Sequence, residues 1–276
     1  MRSEIEKLPK KTYKIKITVP KEDVDEAFIH SLKHFAEHTT IEGFRQGKAP
    51  LELVKQKIDK RMMDSEVINH LVPEFYSQII NEHHLHPISS PKIEIETLEE
   101  GKDFIFHTSV VEKPDINLRS YKEEIKKLNK EKPTVEDLLN KIISISNVEV
   151  SDILIEEEVS RMLSNLIDQT SRLGITIENY LKSQNKTIEV LREEYRKSAE
   201  FNIQAEFLLM EIAKEENISI TEEEIQKTIN AAPDEKSKKA LSADSQKWYI
   251  KSVLLKNKVI QYLINLAFGE KSKTDE

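Results

Sequence analysis

Arg45 and Lys48 stand in the segment GFRQGKAP at 43–50, with Phe44 beside them and glycines at 43 and 47. Two cations and one ring can grip an anionic, partly apolar surface, the guanidinium as a planar fork of donors and the ammonium as a point charge. Gly43 and Gly47 open backbone conformations that other residues avoid, and Pro50 stiffens the exit. The same residues also fit an ordinary turn with solvent-facing charges, and their types alone do not separate the two readings. His30, His34 and His38 recur at i, i+4 and i+8, a spacing that presents imidazoles on one helix face, where a metal ion can bind. They flank the stripe of Val24, Phe28, Leu32 and Phe35 and read as solvated. His83, His84 and His86 precede Pro87 and read as a helix C-terminus, where the dipole favours imidazolium. The carboxylate groups at 156–158, 222–224 and 234–235 lack a partner base and read as solvent-facing helix surface. No catalytic residue, metal ligand or cofactor site is expected, and no GxSxG, P-loop, GxGxxG or HExxH occurs.

The elements that would position the 43–50 segment follow from periodicity. In TYKIKITV at 12–19, Tyr13, Ile15, Ile17 and Val19 alternate with polar neighbours, the pattern of a half-buried strand. From Lys21 the apolar spacing becomes three or four, which predicts an amphipathic helix over 21–39. Helical spacing resumes after Pro50, and a second long helix carries Met63, Val67, Leu71, Phe75 and Ile79. Pro73 inside it predicts a kink or the first turn of a new segment. Strands are expected at 93–97 and 104–111 around the turn LEEGKD. Residues 1–113 therefore read as an α+β unit, a small sheet with a long helical hairpin, with the 43–50 segment at the hairpin tip.

Residues 114–132 are highly charged with weak periodicity and read as a linker. From Pro133 the chain reads as an all-α domain over 133–276. Thr134 with Asp137, and Thr221 with Glu224, have the capping-box spacing. One helix has Val159, Leu163, Leu166 and Ile167 on one side. A longer one has Ile188, Leu191, Tyr195, Ala199, Ile203, Phe207 and Met210 in register. The last spans about 246–268. Residues 231–245 read as a polar connection and 269–276 as a frayed tail. Phe207, Leu208, Leu209, Met210, Ile212 and Ala213, and Trp248, Tyr249, Ile250, Val253, Leu254 and Leu255, surround their helices. Such an excess serves either mutual packing or an open apolar cradle for unfolded chain.

Composition narrows the class further. With 33% charged residues, 5 Gly and 9 Pro in 276 residues, the chain is helix-rich. A formal charge of −8 argues against binding nucleic acid by bulk electrostatics, so contact with RNA needs a local basic patch. Zero cysteines remove disulfides and thiolate chemistry. The N-terminal residues lack the apolar core of a secretory signal, and no apolar run reaches membrane length, so a soluble cytoplasmic protein without membrane contact is expected.

At all six fixed positions, Gly43, Phe44, Arg45, Gly47, Lys48 and Pro50, the segment matches the GFRxGKxP ribosome-docking motif of bacterial trigger factors, and the chain resembles that family. Six fixed residues at about one in twenty each recur by chance in about one chain of this size in a few hundred thousand. NVEVSDILIEEEVSRM at 147–162 resembles the family's entry into its C-terminal helical domain, and ENISITEEEI and KSVLLKNKVIQYLINLA resemble later helices. The likeness covers about 1–120 and 146–268. It implies an ATP-independent chaperone that docks near the exit tunnel of the large ribosomal subunit, on protein and rRNA, and shields unfolded nascent polypeptides. It also implies a homodimer off the ribosome, while assigning no client-binding residues. Complete members carry a prolyl isomerase domain of the FK506-binding-protein type, on the order of 90–100 residues, between the two blocks. Here about 25–30 residues join them, and between Arg119 and Val148 there is no glycine and no aromatic except Tyr121. The isomerase domain is therefore expected to be missing. Two other readings stand at this stage: an isomerase, as the family name implies, and a ribosome-associated assembly factor that binds no clients.

Overall fold

The structure, a computed structural model, describes residues 1–128 and 133–268 and divides into two compact units, Met1–Lys113 and Pro114–Glu276. The first contains β1 (Arg2–Leu8), β2 (Thr12–Val19), α1 (Lys21–His38), α2 (Leu51–Lys57), α3 (Lys60–Glu82), β3 (Lys92–Thr97) and β4 (Phe104–Val111). The strands form one antiparallel sheet in the order β1-β2-β4-β3. Alternation on β2 and β4 sends Ile15, Ile17, Val19, Phe104, Phe106 and Val110 to one face. There they meet Val24 and Phe28 of α1 and the stripe Met63, Val67, Leu71, Phe75 and Ile79 of α3, all buried. Tyr13 lies at the margin of this core, its hydroxyl donating to Glu112 at 2.9 Å.

Strand β1 was not expected. Four of its seven residues are charged, so it shows no apolar alternation. As an edge strand it needs only the ladder to β2, which runs from Arg2 opposite Thr18 to Leu8 opposite Thr12. Its turn places Lys10 and Lys11 at φ 60° and 53°, without the glycine or asparagine that marks such a turn in sequence. Pro73 starts no new segment, because α3 runs unbroken through it. The lost hydrogen bond and ring clash, about 3 kcal/mol, are offset by the buried stripe on both sides of the proline.

The second unit contains α4 (Tyr121–Lys126), α5 (Val135–Ser146), α6 (Asp152–Arg172), α7 (Ile177–Ser183), α8 (Ile188–Glu215), α9 (Glu222–Asn230), α10 (Glu235–Leu241) and α11 (Asp244–Ala267). Both capping boxes are present: the hydroxyls of Thr134 and Thr221 accept from the Asp137 and Glu224 amides, and those carboxylates accept from the threonine amides. With few glycines available, helix ends fall on Asn147, Asn185 and Asn217 at φ 46°, 52° and 53°. Just past two of these ends the Lys186 and Ile218 amides donate five residues back, to the Leu181 and Ala213 carbonyls.

Three expectations need correction here. The charged stretch read as a linker contributes Leu118, Tyr121 and Ile125 to the core of the second unit. They lie three and four residues apart, a single stripe too short to stand out among eight lysines and glutamates at 122–132; residues 129–132 lie outside the described residues. The polar connection at 231–245 contains α10, started by Asp234, whose side chain accepts from the Ser237 amide. Ile167, Ile188 and Met210 are exposed rather than buried with their helical neighbours. The tail at 269–276 lies outside the described residues.

Candidate functional site: an exposed cationic loop and an apolar groove

Helix α1 ends where Thr39 takes an extended conformation, its amide still donating to Phe35. The chain then makes two tight turns. The Phe44 amide donates to the Ile41 carbonyl at 3.0 Å, and the Lys48 amide to the Arg45 carbonyl at 2.9 Å. Gly43 and Gly47 occupy the third position of each turn at φ 83° and 78°, the signature of a type II turn. A Cβ at Gly43 would meet nothing within 4 Å, and one at Gly47 only the Glu37 Cα at 3.9 Å. Positive φ, not lack of space, therefore demands glycine at 43 and 47, which explains their four-residue spacing.

Pro50 caps the following α2, whose Val54 is fully buried and anchors the returning chain. The Lys57 ammonium donates to the Thr40 carbonyl at 2.9 Å, tying the end of α2 to the loop's start. Between these fixed ends Phe44, Arg45 and Lys48 are exposed, Phe44 by 41%. Among the described residues, neither Arg45 nor Lys48 has a side-chain hydrogen bond or ion pair. The loop thus presents two uncompensated cations and a ring on a backbone braced at both ends. The tie from Lys57 spans seventeen residues and has no local sequence signal.

In the second unit the apolar excess divides between two uses. Leu208, Leu209, Ile212 and Ala213 of α8 are buried in the core that includes Val259 and Leu263 of α11, while Ile250 packs with Ile225 and Ile229 of α9. Met210, Trp248 and Tyr249 face solvent, with 50%, 72% and 61% exposure. A groove of 190 Å³ runs between these helices, lined by Leu209, Met210, Trp248, Leu255, Lys251 and Lys256 among others. An apolar floor with one flexible thioether and a lysine rim suits extended, weakly selective contacts. No sequence signal separates the buried from the open face, because both helices are apolar on more than one side.

The histidines expected along α1 divide as well. His30 stacks on His70 of α3, ring centres 5.1 Å apart, whereas His34 lies 5.1 Å from His38. His83 is the C-cap of α3, as the run at 83–86 implies. Among the described residues no group of three or more His, Cys, Asp or Glu side chains is gathered to hold a metal ion.

Residues 1–144 match the family model of the bacterial trigger factor protein, and residues 111–265 match the model of its C-terminus. The chain belongs to the bacterial trigger factor family. The two matches overlap over 111–144, so no internal segment is left between them for a further domain. Among the described residues, that stretch beyond Val111, where β4 ends, carries α4 and most of α5 and no further strand. The trigger factor of Clostridium acetobutylicum is 38% identical over 122 residues, 44% of this chain and 28% of that protein. That of Staphylococcus epidermidis is 27% identical over 164 residues, 59% of this chain and 34% of that protein. The matched stretches thus span about a third or less of these relatives' own lengths. A solved structure from work on promiscuous substrate recognition in folding and assembly activities of the trigger factor chaperone shares the fold, with a TM-score of 0.60 at 13% identity. It covers 95% of this chain and 99% of its own. No helix among the described residues is long and apolar enough to cross a membrane.

Proposed function

We propose that this chain is an ATP-independent holding chaperone of the cytoplasm that docks on the large ribosomal subunit beside the exit tunnel and shields nascent polypeptides. The observation that carries the reading is the 39–50 loop, which presents Phe44, Arg45 and Lys48 exposed on two glycine-dependent turns. Gly43, Gly47 and Pro50 shape the loop. The other three residues make the contacts, the cations to rRNA and acidic protein groups and the ring to an apolar pocket. Docking raises the effective concentration of weak client contacts at the tunnel mouth. The groove around Met210 and Trp248 supplies those contacts, and clients leave as they bury their own apolar residues.

The chaperone has no isomerase activity in this reading, since the two family matches overlap and the described residues from 112 to 144 carry helices without the sheet that a proline-recognising domain of the FK506-binding-protein type requires. A cis–trans assay on a proline peptide with the purified chain should show the uncatalysed relaxation of tens to hundreds of seconds, and any acceleration refutes this part of the reading. Docking is tested by co-sedimentation with ribosomes. Phe44→Ala/Arg45→Ala/Lys48→Ala should abolish pelleting while the melting temperature stays nearly unchanged, since exposed positions cost about 0.5 kcal/mol or less. A folded triple variant that still pellets at wild-type levels removes these residues from the interface.

A further inference from the structure

We propose that His34 and His38 chelate a divalent transition-metal ion, with Glu66 orienting the His34 ring. Four residues apart on α1, the two side chains share one helix face. Their ring centres are 5.1 Å apart at an interplanar angle of 69°. An ion about 2.0–2.1 Å from one nitrogen on each ring fits between rings at this separation. From α3, Glu66 Oε1 approaches His34 Nδ1 to 3.2 Å. A carboxylate accepting from Nδ1–H leaves the lone pair on Nε2 and fixes the ring, the arrangement found behind metal-bound histidines.

The neighbours define the site's size. His30, one turn earlier, is paired with His70 across the helix seam, so the ladder offers two imidazoles here rather than three. A two-nitrogen chelate leaves the ion's remaining positions to water. Half-exposed His34 and exposed His38 leave room for that water. Neutral imidazole favours zinc, copper, nickel or cobalt ions over magnesium or calcium. His38 is the last residue of α1, so the ion would sit at the root of the 39–50 loop. The site is independent of what that loop binds.

The test is calorimetric titration of the full chain, without an affinity tag, with Zn²⁺ alone. One saturable site is expected. His34→Gln/His38→Gln, at two exposed positions, should abolish it, and Glu66→Gln should weaken it about tenfold to a hundredfold. His83→Gln/His84→Gln/His86→Gln should leave it unchanged. In the unsubstituted chain, Zn²⁺ should move the ring resonances of His34 and His38 and spare His83 and His86. The proposal fails if no saturable binding appears at millimolar Zn²⁺, if binding survives the loss of His34 and His38, or if the triple variant alone removes it. Undiminished affinity in Glu66→Gln removes the orienting role.

Discussion

Glu216, at the end of α8, carries a negative charge where the helix dipole disfavours one. The Tyr121 hydroxyl donates to it at 2.8 Å, the Tyr262 hydroxyl at 2.9 Å, and the Lys122 ammonium lies 2.6 Å away. Partial burial pushes the carboxyl's pKa upward, but the hydrogen bonds from Lys122, Tyr121 and Tyr262 outweigh it and hold the group below the ordinary carboxylate range. Burial, with Glu216 as acceptor, pushes the Tyr121 hydroxyl far above its usual value. Because the folded carboxyl is the stronger acid, its stabilisation is fully present above the unfolded pKa, near 4.3, and fades as pH falls through the lower folded value. Glu216→Gln should therefore cost about 1–3 kcal/mol at pH 7, with the gap to the unsubstituted chain narrowing below about pH 4. Urea melts at pH 7 and pH 3.5 measure this, and a gap that ignores pH contradicts it. Nothing in the sequence marks Glu216, whose partners lie 95 and 46 residues away. The two turns of the 39–50 loop were legible, because glycine sets them locally, whereas the tie from Lys57 was not.

Helix α4 turns a charged, linker-like stretch into part of a core. Ile125 is fully buried and Tyr121 nearly so, and α4 packs on α5 and α11. Ile125→Ala should cost the second unit about 2–5 kcal/mol, whereas a true linker position would shift stability by about 0.5 kcal/mol or less. Thermal melts of the full chain decide between them, and an unchanged melting temperature would return 114–128 to linker status. The long helices, both capping boxes and three strands were readable because period and cap chemistry are local. Strand β1 and helices α4 and α10 were not. A charged edge strand gains its order from the ladder to β2, and short helices gain theirs from tertiary packing rather than propensity. Periodicity also failed to divide α8 and α11 into faces. Met210 and Trp248 read like their buried neighbours, and only the placement of adjacent helices leaves them open.

At the scale of the molecule, each of the two units carries one half of the proposed activity. The first supplies an exposed cationic loop and the second an apolar groove. The central claim is that docking by the one delivers clients to the other. It is tested most directly with a photo-crosslinking amino acid at position 210 or 248, each half exposed or more, added to ribosomes stalled with a labelled nascent chain. The account predicts an adduct with the nascent chain, lost when Phe44, Arg45 and Lys48 are replaced by alanine and absent on idle ribosomes. A chain that pellets with stalled ribosomes yet forms no nascent-chain adduct from either position would contradict the account and mark an assembly factor that reuses the docking loop.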